Sequence, residues 1–201
     1  MADRRKAKDP NHPGCVIYSI GSNGDFNFEL GMQQEVGEGV CEFHIFDMGD
    51  YESKVPKELK RVYYHKFGLM TQGRNLGEPE EGQPFYGLRD IVRILGHEKL
   101  DMIDIFKIDC DKCEWRTYQD WLGHGIPILH QIQVEVHNAP GGKVIDFFDT
   151  FERAGYLRFH KEPNIQFSDG SCVEYAFVKV KEIFLEGKNF KALSTQHYNT
   201  S

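Results

Sequence analysis

The chain has no stretch of apolar residues long enough to cross a bilayer, and its first fourteen residues, polar and carrying Pro10 and Pro13, lack the apolar core of a signal peptide. A reducing, cytoplasmic setting is therefore expected by default. Cysteine is sparse: five in 201 residues is an odd count without the density of a secreted disulfide scaffold, which leaves at least one thiol free unless it pairs between chains. Positive charge is also scarce. With 24 Lys and Arg against 31 Asp and Glu, the net charge is −7 and the basic residues are scattered, so the electrostatic footprint of a nucleic-acid binder is missing. Internal repeats and low-complexity tracts are absent too. A hydrophobic content of 40%, with 15 Phe and 9 Tyr, is ample for one folded domain.

Apolar runs and helical patterns alternate after residue 14, which predicts an α/β fold on a largely parallel sheet. Strands are expected at Val16 to Ile20, Glu42 to Phe46, Arg61 to Phe67, Ile103 to Ile108 and Ile128 to Val136. Charged Asp50 to Lys60 is read as a helix, as are Trp115 to Leu122 and Val144 to Ala154. Leu88, Ile91, Val92 and Leu95 fall at i, i+3, i+4 and i+7 on one helical face that Gly96 ends. Residues 71–84, with Pro79, Pro84, Glu78, Glu80 and Glu81, read as a surface loop that could close as a lid. Leu157 to His160 and Val173 to Val180 read as strands joined across Ser168-Asp169-Gly170-Ser171, so the sheet ends in an antiparallel hairpin. The domain is expected over 15–185, between tails at 1–14 and 186–201.

In an open parallel sheet, ligands gather at the carboxyl ends of the strands. The first strand ends in Gly21-Ser22-Asn23-Gly24, where glycine lets a ligand approach the backbone, and the second ends at Asp47, at a spacing suited to a carboxylate that accepts ribose hydroxyls. This turn lacks the full G-x-G-x-x-G of a dinucleotide site, whose second glycine admits a pyrophosphate, and so favours S-adenosylmethionine over a nicotinamide cofactor. Other strand ends are acidic: Asp109, Asp111 and Glu114 after the fourth, and Glu135 with His137 at the fifth.

Plainer and competing readings exist for these residues. Asp25 and Asp111 can simply cap helices. Cys110-Asp111-Lys112-Cys113 has the spacing of a redox motif, although two incidental thiols explain it as well. Asp109-Cys110-Asp111 has the D-x-D form that holds a metal in sugar-nucleotide transferases, and Asp109, Asp111, Glu135 and His137 offer donors for Mg²⁺ or Mn²⁺. An ion-paired acidic rim is the reading preferred here, and no metal site is assigned.

Taken together, Val16-Ile-Tyr-Ser-Ile-Gly-Ser-Asn-Gly-Asp25-Phe-Asn-Phe-Glu29, His44-Ile-Phe-Asp47, Phe106-Lys-Ile-Asp109-Cys-Asp-Lys-Cys-Glu114-Trp115 and Gln133-Val-Glu135-Val-His137 resemble a class I S-adenosylmethionine-dependent methyltransferase, specifically the methyltransferase-like domain 22 family related to the FkbM group. The resemblance implies a Rossmann-like seven-stranded sheet, mostly parallel with an antiparallel last strand and helices on both faces. It also implies that Gly21, Ser22, Asn23 and Gly24 border the cofactor's methionine part, that Asp47 binds the ribose, that Asp109 stands near the sulfonium, and that Phe67 and Gly68 lie near the adenine. Asp109, Glu135 and His137 are the candidate bases for an unknown acceptor, an oxygen of a small molecule or glycan. His137, whose unperturbed pKa lies nearest neutrality, is preferred among them as the base. A non-catalytic S-adenosylmethionine-binding relative is the alternative, ahead of a metal-dependent sugar-nucleotide transferase or a C-x-x-C redox protein.

Overall fold

A computed structural model describes residues 14–71, 85–138, 140–165 and 171–180. Most of the proposed lid, Ser168 to Gly170 of the proposed turn, and the 186–201 tail lie outside these residues. The elements run β1 (Val16–Ile20), α1 (Asn27–Val36), β2 (Glu42–Phe46), β3 (Val62–His65), β4 (Gly68–Leu69), β5 (Phe85–Tyr86), α2 (Leu88–Ile94), β6 (Met102–Ile108), α3 (Glu114–Thr117), β7 (Ile128–His137), α4 (Lys143–Arg153), β8 (Tyr156–Pro163) and β9 (Cys172–Lys179). Seven strands form one sheet in the order β3-β2-β1-β6-β7-β9-β8, and β4 and β5 form a small second one.

Pairing is parallel from β3 across to β7, then antiparallel between β7 and β9 and between β9 and β8. This is the α/β, Rossmann-like sheet the sequence predicts, with β9 as the reversed last strand. The chain winds outward from β1 to β3 and then returns to β6 on the other side of β1, so β1 and β6 flank the switch point where such sheets bind ligands.

Strand alternation sends side chains to two cores. One face packs Tyr18, Ile20, Phe46 and Phe106 against Leu88, Ile91 and Val92 of α2, Trp115 of α3, and Phe147 and Phe151 of α4. On the other, Ile17, Phe43, Ile45 and Ile105 meet Phe28, Leu30, Met32 and Val36 of α1. Helices thus cover both faces.

The expected helix over Asp50 to Lys60 is corrected to a single 3-10 turn, Glu52–Lys54. Val55 precedes Pro56 and adopts φ −56 and ψ 125, the extended geometry that a following proline ring imposes. The third strand is shorter than expected: the chain turns after His65, with Phe67 N donating to the His65 carbonyl at 3.0 Å, and Gly68 and Leu69 then pair with Phe85 and Tyr86. Gly96 ends the helical stretch after Leu95 at φ 69, as its position suggests.

Cysteine usage also needs correction. Cys15 and Cys41 are bridged immediately before β1 and β2, where Glu42 N donates to the Cys15 carbonyl at 2.8 Å. Cys110 and Cys113 are bridged as well, so they are not incidental thiols, and the free cysteine is buried Cys172. Thiol titration of denatured, unreduced protein is expected to count one reactive group per chain. A count of five would mean that neither bridge forms.

Candidate functional site

The turn after β1 is built by its backbone. Gly21, Asn23 and Gly24 have φ of 77, 48 and 75, a left-handed path that glycine and asparagine adopt at low cost. A Cβ at Gly21 would overlap the Asp109 carbonyl oxygen, so the absence of a side chain is what lets the ends of β1 and β6 close together. Gly21 N donates to the Phe46 carbonyl at 2.9 Å, and Lys107 Nζ donates to the Gly21 carbonyl at 2.8 Å.

Asp47 organises this turn. Its Oδ2 accepts from Ser22 N (2.8 Å), Ser22 Oγ (3.1 Å) and Asn23 N (2.7 Å), and its Oδ1 accepts from Gly49 N (2.8 Å). A carboxylate offers about four lone-pair directions, so Oδ1 keeps room for one further donor. Tyr51 lies alongside: its hydroxyl donates to Asn23 Oδ1 at 3.1 Å, and its ring borders both Gly24 and Gly49. Gly68 faces half-exposed Met48 and Phe85, which make an apolar shelf, whereas Phe67 is buried against Phe46, His65 and Tyr86. Asp25 takes the plainer role, accepting from Asn27 N at 2.9 Å at the start of α1.

A second group of residues closes on His137, at the end of β7. Fully buried Glu114 accepts from the His137 backbone N at 2.8 Å and lies 3.3 Å from its Nδ1. Trp115 Nε1 donates to the His137 carbonyl at 2.7 Å. Nε2 faces Asp109 and Asp111 at 3.6 Å each and Glu135 at 4.0 Å. The hydrogen bond to Glu114 raises the His137 pKa, burial opposes it, and the charges of Glu114, Glu135 and Asp109 add to the rise. Asp109 is pushed up to about 6, chiefly by burial and also by Glu135, with Lys107 and His137 opposing.

The sequence-predicted residues thus form two adjoining groups at the carboxyl ends of β1, β2, β6 and β7: the glycine turn with Asp47, and Asp109, Asp111 and Glu135 around His137. Asp109 joins them, because its carbonyl touches Gly21 and its carboxylate faces His137. Glu135, His137 and Cys172 also bring one potential metal-ligating atom each within 4.8 Å of the others. Sequence reasoning missed Lys107 and Tyr51, and it gave Glu114 no role. The signal for Lys107 was present as the lone cation of a central strand, MIDIFKI, whose other residues are apolar except Asp104.

A sequence model of a family described as a methyltransferase domain, Methyltransf_22, matches residues 2–179. The chain is 26% identical over 187 residues to a protein named probable methyltransferase-like protein 24 from Rattus norvegicus, covering 90% of this chain and 43% of that protein. It is likewise 26% identical over 183 residues to the Homo sapiens protein of the same name, covering 88% and 41% respectively. The chain therefore spans less than half the length of these curated relatives.

Proposed function

The chain belongs to this methyltransferase-domain family, and from that premise we propose that it binds S-adenosylmethionine at the switch point between β1 and β6 and methylates a hydroxyl oxygen of a small molecule or glycan. The observation that carries the reading is the meeting of the glycine turn and Asp47 with Asp109 and His137 at one end of the sheet. The residues fit the cofactor's parts. Asp47 Oδ1 retains one acceptor direction for a ribose hydroxyl, the Gly21 to Gly24 turn leaves room beside the backbone, and Met48 with Gly68 forms the apolar shelf for a base. The Asp109 carboxylate suits a nearby sulfonium cation.

When bound, S-adenosylmethionine supplies an activated methyl carbon, so the protein has to align the acceptor and take its proton. Asp109 is our choice of base, since its carboxylate is raised to about 6 and can accept a proton near neutral pH. His137 holds its own proton more tightly than an ordinary histidine, and Glu114 fixes its ring. Its role is to position Asp109 and Glu135 and temper their mutual repulsion. This concentration of carboxylates disfavours an anionic acceptor and suits a neutral polyol.

The non-catalytic alternative rests on a different feature: Tyr51 packs on Gly24 and Gly49 while Asp47 is already engaged by the turn it would use to bind ribose. Calorimetry tests the cofactor site, and methyl transfer to an acceptor separates an enzyme from a non-catalytic relative that binds the cofactor. Wild-type protein is expected to bind S-adenosylmethionine and S-adenosylhomocysteine, and to bind neither NAD nor a sugar nucleotide with Mn²⁺. Asp47→Ala removes the acceptor for Ser22, Asn23 and Gly49 as well as for ribose, and is expected to weaken binding by about 1–3 kcal/mol. Unchanged affinity removes Asp47 from the site, and absence of binding in the wild type removes the cofactor.

The two disulfides lead us to place this chemistry in an oxidising compartment rather than the cytoplasm expected from the sequence.

A further inference from the structure

At the opposite end of β2 from Asp47 lies a set of side chains that methyl transfer does not use. Glu42 opens the strand and His44 follows two residues later, so both emerge on one face. His97 reaches them from the 3-10 turn His97–Lys99 after α2. One potential ligating atom from each of the three lies within 4.8 Å of the other two, and His44 Nε2 stands 3.7 Å from Glu42 Oε2. Donors on a tetrahedral zinc ion, bonded at about 2.0–2.1 Å, stand roughly 3.4 Å apart, so a small inward shift of side chains brings them to bonding distance.

The independent observation is His44 itself. It is 5% exposed, and its Nε2 is buried without a hydrogen-bond partner while facing the Glu42 carboxylate. An aromatic core would be served by phenylalanine at this position, and a buried ring nitrogen left unpaired is costly. The remaining polar atoms are already tied. His44 Nδ1 meets His65 Nε2 at 3.1 Å, His97 Nδ1 meets the Tyr18 hydroxyl at 2.8 Å, and Arg61 donates to Glu42 Oε1 at 2.5 Å. Metal-bound histidines are characteristically oriented in this way, by a hydrogen bond at the second ring nitrogen.

We propose that Glu42, His44 and His97 bind a divalent transition-metal ion of zinc's class, with His44 donating through Nε2, Glu42 through Oε2, and His97 through the ring nitrogen that Tyr18 leaves free. Water completes the tetrahedron from the side where the Glu42 side chain is 17% exposed. Two imidazoles and one carboxylate suit Zn²⁺ better than Mg²⁺ or Ca²⁺, which favour all-oxygen shells. The ion would tie the start of β2 to the segment after α2, at a distance from the methyl-transfer site.

The test titrates Zn²⁺ into the full chain after dialysis against a chelator, by calorimetry with metal content measured in parallel. The expected result is one tightly held ion per chain and, with Co²⁺ in its place, the visible bands of a tetrahedral site. Glu42→Gln and His97→Gln, each shown to be folded by circular dichroism, should weaken binding tenfold or more, while His137→Ala leaves it unchanged. In the unmutated chain, the imidazole nitrogen resonances of His44 and His97 should shift on zinc addition, which tests the site even where a variant fails to fold. The proposal is overturned by absence of zinc binding, by wild-type affinity in both variants, or by binding lost in His137→Ala and shifts confined to His137, which would move the ion to Glu135, His137 and Cys172.

Discussion

Gly21→Ala is expected to destabilise the fold by about 3–5 kcal/mol and to abolish cofactor binding, an effect at the upper end for a single methyl group. Two costs combine. At φ 77 an L side chain pays the left-handed penalty of roughly 1–2 kcal/mol. The larger cost comes from the added Cβ, which overlaps the backbone carbonyl of Asp109, a neighbour that cannot rotate aside as a side chain would. Nor can residue 21 withdraw: its N–H is held by Phe46 O, its carbonyl by Lys107 Nζ, and Asp109 N donates to the preceding carbonyl of Ile20 at 3.0 Å. The ends of β1 and β6 must therefore separate, and the two halves of the site separate with them. Gly31→Ala provides the contrast. Gly31 lies inside α1, where a methyl group would meet open space beyond the helix itself, so alanine there should stabilise by about 0.5–1 kcal/mol through helix propensity. Denaturant melts of both variants check the pair. Equal stabilities would show that the β1–β6 contact is looser than its geometry.

That contact helps explain why so much of the candidate site was legible in the sequence. Parallel strands buried on both faces read as short apolar runs, and in such a sheet the next residue after each run falls at the ligand edge, so Gly21, Asp47 and Asp109 could be placed from strand boundaries alone. His137 followed by the same logic as the last residue of β7. What escaped were features set by three-dimensional neighbours. The helix α1 was not singled out because Phe28, Leu30, Met32 and Val36 do not keep a clean helical stripe, Gly31 interrupts it, and Glu29 is buried on it. The Asp50 to Lys60 stretch has helical composition, but Pro56 overrides it. Cys15 and Cys41 lie 26 residues apart, and only the pairing of β1 with β2 shows that they meet. His97 is farther still from His44 in the chain, which is why a Glu42–His44–His97 group carries no sequence signature.

Asp109→Asn is expected to lower methyl transfer by about 10²–10⁴-fold while S-adenosylmethionine still binds, because the amide keeps the shape of the carboxylate and loses its capacity to take a proton. The pH dependence distinguishes this role from a structural one. Burial raises Asp109 to about 6, so the deprotonated, base-competent form dominates above that pH and is lost as pH falls through it. Wild-type turnover should therefore rise with pH around 6, and the asparagine variant should lose that step. A carbon NMR titration of the Asp109 carboxyl group reads the same midpoint without any acceptor, and acceptors for the rate measurement can be sought by transfer of radiolabelled methyl to polyols and glycans. His137→Gln should shift the Asp109 midpoint upward, because removing a nearby cation makes the carboxylate harder to ionise among Glu135 and Asp111. An unmoved midpoint in that variant, or wild-type turnover in Asp109→Asn, would separate the acidic cluster from proton transfer and leave it the simpler task of holding the sulfonium's charge.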